Sequence, residues 1–354
     1  MTTIDHHQNG EASRRPYRGR YAPTPSGPLH LGNLRTALLA WLLARRAGGA
    51  FVLRVEDLDR ARVRPGAADA ALADLRWLGL DWDEGPDRGG LHAPYIQSER
   101  AGRYADALQR LADADLVYLC YCSRADVARA ASAPHAGEEG PRYPGTCRDP
   151  ERRAAQRARA GGRPPALRFR VPTGPEGVVS FEDGLYGTVA QDVAQAVGDF
   201  VVRRSDGVPA YHLAVVVDDL AMAIGDMVRG ADLLDSTPRQ ILLYRALHAL
   251  GVPDPLGPLG HDHRETIPRF LHVPLVVDAR GERLAKRHGA VGVGPLRERG
   301  IAPEVVVGAL ASSSGLVPAG TALTARDLLD CFDLASISRV PAPILLDERC
   351  TLRL

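Results

Sequence analysis

Tyr21-Ala22-Pro23-Thr24-Pro25-Ser26-Gly27-Pro28-Leu29-His30-Leu31-Gly32-Asn33 is the stretch that decides the fold of this 354-residue chain. The short run before it, Tyr17 to Ala22, suits a buried strand that Pro23 and Pro25 stop. After Gly32 the apolar positions Leu34, Ala37, Leu38, Trp41 and Leu42 recur at helical spacing, and Gly48-Gly49 offers the left-handed cap that ends a helix. Ala50 to Val55 reads as a second strand. Strand, tight loop, helix and strand together form a right-handed crossover of a parallel sheet.

In such a unit the helix N-terminus presents unpaired backbone N–H groups and the positive end of its dipole to an anion. His30 stands just before that end, and Gly32 has no Cβ to hold a phosphate away from the backbone. A lone loop histidine more often makes a local hydrogen bond. His30, Gly32 and Asn33 packed against a helix start, after a proline-rich strand end, point instead to a nucleotide phosphate.

A second cation stands far along the chain. All but one of the 44 basic residues are arginine, and the single lysine is Lys286 in Arg283-Leu284-Ala285-Lys286-Arg287. Lysine is a compact charge on a flexible stem, better suited than a rigid guanidinium fork to follow a phosphate through a reaction.

Composition sets the bounds. A hydrophobic content of 45% with 25% charged residues is ordinary for a globular protein of two or three packed units. No apolar run is long enough to span a membrane, and the polar stretch Met1 to Arg18 reads as a disordered lead-in with no signal peptide. Five cysteines without a repeating frame argue for a reducing, cytoplasmic setting. A net charge of +1 exerts no global pull on nucleic acid, yet Arg142 to Arg170 is locally rich in arginine and suits contact with a phosphate backbone. Taken alone, the same stretch also reads as a solvated Ala/Arg helix around Arg152 to Ala160.

Cys120-Tyr121-Cys122 and Tyr143-Pro144-Gly145-Thr146-Cys147 bring three cysteines together around turn-forming residues, which suits a tetrahedral zinc site short of one ligand. Spacing offers Tyr143 or His135 as the fourth, and ligand chemistry alone favours His135. Cys331 and Cys350 read as packing residues, and His261-Asp262-His263 as an exposed loop.

His30-Leu31-Gly32-Asn33 and Arg283-Leu284-Ala285-Lys286-Arg287 resemble the HIGH and KMSKS motifs of class I aminoacyl-tRNA synthetases. The glutamyl branch is the closer resemblance, through Arg20 to Gly27, Arg54 to Asp59, Tyr211 to Asp219 and Val228 to Asp232. Asn33, Arg283 and Ala285 depart from the motifs, which shifts phosphate binding toward His30, backbone amides and Lys286.

The resemblance implies an α/β class I synthetase-type Rossmann fold with a parallel sheet split into 17–115 and 200–293. A zinc-bearing α+β insert at 116–199 and a small helical, stem-contact-like region at 294–354 complete it, behind a tail at 1–16. It implies L-glutamate held by Arg20, Tyr21, Ala22, Pro23, Thr24, Glu56, Tyr211 and Arg229, and ATP with Mg²⁺ held by His30, Gly32, Asn33 and Lys286. His30 and Lys286 would carry the catalysis. The Cys-x-Cys and Tyr-x3-Cys zinc pairs of the short glutamyl-Q tRNA(Asp) synthetases fit Cys120, Cys122, Tyr143 and Cys147. Those short paralogues lack the further anticodon-binding domain of full glutamyl-tRNA synthetases. The resemblance therefore implies a monomer, apart from any membrane, that transfers glutamate to the queuosine base in the anticodon of tRNA(Asp). The competing readings are a truncated enzyme charging the 3′ end of tRNA(Glu), a small-molecule nucleotidyltransferase of the HxGH type, and a non-catalytic RNA-binding paralogue.

Overall fold

The computed structural model describes residues 16–130, 142–252, 267–277 and 292–343, with the short backbone pairs 345–346 and 352–353. In chain order the strands are β1 (Arg18–Tyr21), β2 (Ala50–Leu53), β3 (Val117–Cys120), β4 (Ala166–Phe169), β5 (Val178–Asp183), β6 (Gly187–Asp192), β7 (Val201–Arg203), β8 (Asp226–Gly230), β9 (Arg269–Val273) and β10 (Val276–Val277). The helices of the first half are α1 (Leu31–Arg46), α2 (Ala67–Trp77), α3 (Ala101–Asp113), α4 (Arg124–Ala130) and α5 (Pro150–Arg159). Those of the second are α6 (Val193–Ala196), α7 (Tyr211–Ala221), α8 (Thr237–Ala249), α9 (Val293–Glu298), α10 (Pro303–Ser313) and α11 (Asp327–Cys331).

A six-stranded sheet runs in the order β2-β1-β8-β9-β5-β6. Its neighbours pair in parallel from β2 through β5, and only the β5–β6 hairpin is antiparallel. The hairpin at 178–192 lies within the stretch expected as insert yet extends the main sheet. The rest of that stretch builds a separate antiparallel sheet, β3-β4-β7.

The β1–α1–β2 crossover forms as the spacing predicts. Helix α1 ends at Ala47, Gly48 takes φ +60°, and Gly49 N–H reaches back to the Ala44 carbonyl. It is buried nearly all round, with Leu34, Leu38, Trp41 and Leu42 inside, because α10 and α11 cover the side turned away from the sheet. Across the sheet, α3, α7 and α8 form a second core around Tyr104, Leu213, Val216 and Leu243.

The C-terminal helices differ slightly from expectation. Helix α10 is longer than Val305 to Leu310, and α11 starts at Asp327 rather than Ala325. Its N-cap is Arg326, without a side-chain cap bond, rather than Thr324; Thr324 instead pairs with the first helical residue, its Oγ1 accepting from Asp327 N–H at 3.1 Å while the Asp327 carboxylate accepts from Thr324 N–H at 2.9 Å. Cys331 is exposed, which corrects its reading as a packing residue: it falls on the solvent side of a helix that buries Leu328. Cys350 lies outside the described residues, as does the His261-Asp262-His263 loop.

A buried charge network ties the two halves together. Arg54, wholly buried after β2, bonds Asp219 at 2.7 Å and Glu56 at 3.0 Å and lies 3.7 Å from Asp218. Arg100 bonds Asp218 at 2.6 Å, and Arg20 approaches Asp219 at 3.4 Å. Gln97, Tyr104 and Tyr244 donate to the remaining carboxylate oxygens. A buried pair survives only if its charges are compensated, and removing one partner leaves the other stranded. Arg54→Ala is therefore expected to destabilise the fold by about 3–5 kcal/mol in urea denaturation.

Candidate active site

Parallel strands end on the same side of a sheet, and ligands bind at those C-terminal ends. Tyr21 ends β1 and Ala22 to Thr24 follow it, Glu56 follows β2, Arg229 lies at the end of β8, and Pro274 and Leu275 lead from β9 to Val276 of β10. With His30, Gly32, Asn33 and Tyr211 they line one cleft of about 720 Å³. Each expected nucleotide and glutamate residue among the described ones thus reaches a single cavity.

The nucleotide end is built by α1. His30 takes extended backbone angles at the cap, and its Nδ1 accepts from Asn33 N–H at 3.2 Å. The Asn33 amide oxygen accepts in turn from His30 N–H at 3.4 Å. This reciprocal box puts the imidazole proton on Nε2 and gives Asn33 a structural task in place of the charge a histidine would bring. Gly32 lies close under His30, and a Cβ there would stand 3.1 Å from the ring.

Lys286 lies outside the described residues. The segment that carries it leaves and rejoins the described chain at the cleft: Val276 lines the cavity, and Gly292 forms a bridge with His30. Arg35 and Thr36 of α1 also face the cavity. Arg35 donates to the Pro274 and Ser313 carbonyls, and burial lowers its guanidinium pKa to about 10.

The opposite end carries unequal charges. Arg20 shares Asp219, and Glu56 is held by Arg54. Burial pushes the Glu56 carboxyl up, against the pull of Arg54 and Arg20. Arg229 differs: its guanidinium bonds His272 Nε2 at 2.9 Å, Gln240 Oε1 at 2.7 Å and Thr237 Oγ1 at 2.7 Å. Those partners are an imidazole, an amide and a hydroxyl, so no carboxylate answers its charge among the hydrogen bonds it makes. Only 4% exposed, Arg229 has its pKa lowered by burial. A desolvated cation of this kind in a cavity wall favours an anionic ligand. Tyr211 opens α7 and is 40% exposed, with its ring on the cleft.

Cys120, Cys122 and Cys147 hold their sulfurs within 4.8 Å of one another. The Tyr143 hydroxyl lies 3.4 Å from Cys120 Sγ and 3.9 Å from Cys122 Sγ. Three sulfurs and a phenol oxygen converging from two turns are a donor set for a tetrahedral soft-to-borderline cation. Their mutual hydrogen bonds hold the Cys120 thiol low and push the Cys122 thiol up. Arg168 donates to Cys120 Sγ at 3.3 Å and stacks over the Tyr143 ring. His135, the other candidate ligand, lies outside the described residues.

Helix α5 buries no side chain, is capped by Asp149 accepting from Arg152 N–H, and shows its arginines to solvent. Sequence reasoning missed Asp183, His272, Gln240 and Thr237 around Arg229. For His272 the available signal was a polar residue between Leu271 and Val273; Asp183 closes the mixed strand Val178–Asp183, whose Ser180 and Glu182 hide it.

Residues 17–326 match the family described as tRNA synthetases class I (E and Q), catalytic domain, and the chain belongs to that family. It is 55% identical to a glutamyl-Q tRNA(Asp) synthetase of Symbiobacterium thermophilum, over 92% of this chain and 95% of that one. A protein of the same name from Nitratidesulfovibrio vulgaris is 48% identical over 92% of this chain and 93% of its own length. Among solved structures, a glutamate tRNA ligase from Elizabethkingia meningosepticum in complex with its amino acid superposes with a TM-score of 0.74. Its identity is 28%, covering 93% of this chain and 67% of that one. No described helix is long and apolar enough to cross a membrane.

Burial lowers the His272 pKa from 6.5, so the folded protein keeps this imidazole neutral where the unfolded chain would protonate it. Its contribution to stability is complete above pH 6.5 and is lost as pH falls toward the depressed folded value. The slope is at most about 1.4 kcal/mol per pH unit. Urea midpoints at about pH 7.5 and about pH 5.5 should diverge more in the parent than in His272→Gln.

Proposed function

We propose that this chain activates L-glutamate with ATP and transfers it to the queuosine base in the anticodon of tRNA(Asp). The observation that carries the reading is Arg229, a buried cation whose hydrogen bonds among the described residues all go to neutral groups, in the cleft that also holds His30 and Glu56. Glutamate supplies what these residues want: two carboxylates for Arg229 and Arg20, and an ammonium for Glu56. The relatives named glutamyl-Q tRNA(Asp) synthetase support the acceptor.

In the first step a glutamate α-carboxylate oxygen attacks the α-phosphorus of ATP. The bond to the β-phosphate bridging oxygen breaks, leaving glutamyl-adenylate and pyrophosphate. No protein nucleophile is required; orientation and charge carry the step. Mg²⁺, bound with ATP, offsets part of the triphosphate charge. His30 and the α1 N-terminus donate to the phosphates, and Lys286 follows the departing pyrophosphate. In the second step a hydroxyl of the queuosine cyclopentene ring attacks the activated carbonyl and AMP leaves. The arginines of α5 and its flanks suit the RNA backbone, an attraction that salt weakens. Cys120, Cys122, Tyr143 and Cys147 hold one structural Zn²⁺, which fixes the turn around Gly145 to β3.

Labelled glutamate should enter tRNA(Asp) that carries queuosine and not tRNA(Asp) that lacks it. Labelling of the 3′ end of tRNA(Glu) instead would overturn the acceptor. Glutamate-dependent ATP–pyrophosphate exchange should proceed without tRNA, and Lys286→Ala should slow it about 100-fold while glutamate binding holds. The purified protein should carry about one zinc per chain, and Cys147→Ala should lose it and melt at lower temperature. Metal analysis that finds no zinc in the parent would remove that site.

A further inference from the structure

Behind Arg229 lies a second charged group that no part of the proposed chemistry uses. Asp183 ends β5 and is buried. Its Oδ2 lies 2.6 Å from His272 Nδ1 and also accepts His272 N–H at 3.1 Å. Its Oδ1 accepts the N–H groups of Leu185 and Tyr186 in the hairpin turn. His272 is wholly buried in β9, and neither it nor Asp183 lines the cleft.

The tautomer follows from these contacts. A carboxylate only accepts, so His272 Nδ1 carries the proton that points at Asp183. Nε2 is then a bare lone pair, and it faces Arg229 Nε–H at 2.9 Å. With the opposite tautomer two N–H groups would meet head on. Gln240 Oε1 and Thr237 Oγ1 hold the other two nitrogens of the fork. A guanidinium has more N–H donors than these bonds use, and the remainder are left for the cleft.

We infer that Asp183 and His272 are positioning residues: Asp183 fixes the imidazole tautomer, and the imidazole aims Arg229 at a substrate carboxylate. The inference rests on the glutamate reading above and deepens it. It also means that the β5–β6 hairpin, which joins the sheet from the inserted stretch, helps to set the amino-acid site.

The test compares four proteins in ATP–pyrophosphate exchange: the parent, Asp183→Asn, His272→Gln and the double variant, with melting curves to confirm folding. Asn at 183 can still serve the turn through its amide oxygen but turns N–H toward Nδ1, which reverses the tautomer, and toward the His272 backbone N–H, a main-chain loss that is the same in either background. Asp183→Asn should raise KM for glutamate on the order of 10-fold and leave KM for ATP unchanged. His272→Gln should be milder, since an amide oxygen can accept from Arg229 Nε. In the His272→Gln background Asp183→Asn should have no further effect on KM for glutamate, because no tautomer remains to be set. An equal effect in both backgrounds, or equal rises in KM for ATP and glutamate, would reduce the pair to a structural role and overturn the inference. Arg229→Ala separates the two levels. If it raises KM for glutamate while Asp183→Asn does not, the relay fails and the glutamate reading stands. If the parent shows no glutamate-dependent exchange, the reading itself fails.

Discussion

Arg54 is the charge on which the first strands and α7 of the catalytic domain meet. It leaves β2 and enters a pocket closed by Asp218 and Asp219 from α7, more than 160 positions along the chain. Both carboxylates are wholly buried, as is the guanidinium, so each pays a desolvation cost that only the others can offset. The group does this as a near-neutral cluster, with Arg20 and Arg100 on one side and Glu56 on the other. Hydrophobic contact alone would let α7 slide along the sheet, because burial of apolar surface has no preferred register. Directed bonds to Asp218 and Asp219 remove that freedom. They also tie Arg20, Glu56 and the start of α7, all on the cleft, to one framework.

Against this balanced cluster the asymmetry of the cleft has a plain cause. Arg20 and Glu56 belong to the shared network, while Arg229 hangs from neutral partners. A cavity lined in this way has spare positive charge at one end and the N-terminus of α1 at the other. Both ends favour anions, and between them lies room for an amino acid and a nucleotide.

The sequence reading went furthest where local rules suffice. Pro23, Pro25, Gly48 and the apolar spacing of Leu34 to Leu42 specify β1, α1 and their ends through backbone chemistry, so the crossover could be drawn before any coordinates. The cluster of Cys120, Cys122 and Cys147 was legible because thiols at short spacings are rare, whereas Tyr143 beside them was named only through the family resemblance. The Arg229 surroundings were not, since Asp183, Gln240 and His272 converge only through the order in which distant strands pair. A polar residue inside an apolar strand announces that it has a partner without saying which. For the same reason the hairpin at 178–192 was grouped with the inserted stretch by its position, whereas pairing with β9 puts it in the main sheet. Asn33 was read as a weakened phosphate ligand, and its place in the capping box gives it a second purpose that motif comparison could not reveal.

Gly292 closes the account of the stretch between β10 and α9. It meets His30 as a short antiparallel bridge, and a side chain there would come 3.1 Å from the Leu29 carbonyl. The backbone of His30 at the start of α1 is therefore joined to Gly292, the residue that precedes α9. The link is made by main-chain atoms, so a side-chain substitution at His30 leaves its bonding groups in place. One backbone bridge thus fixes the start of α1 and the entry to α9 together.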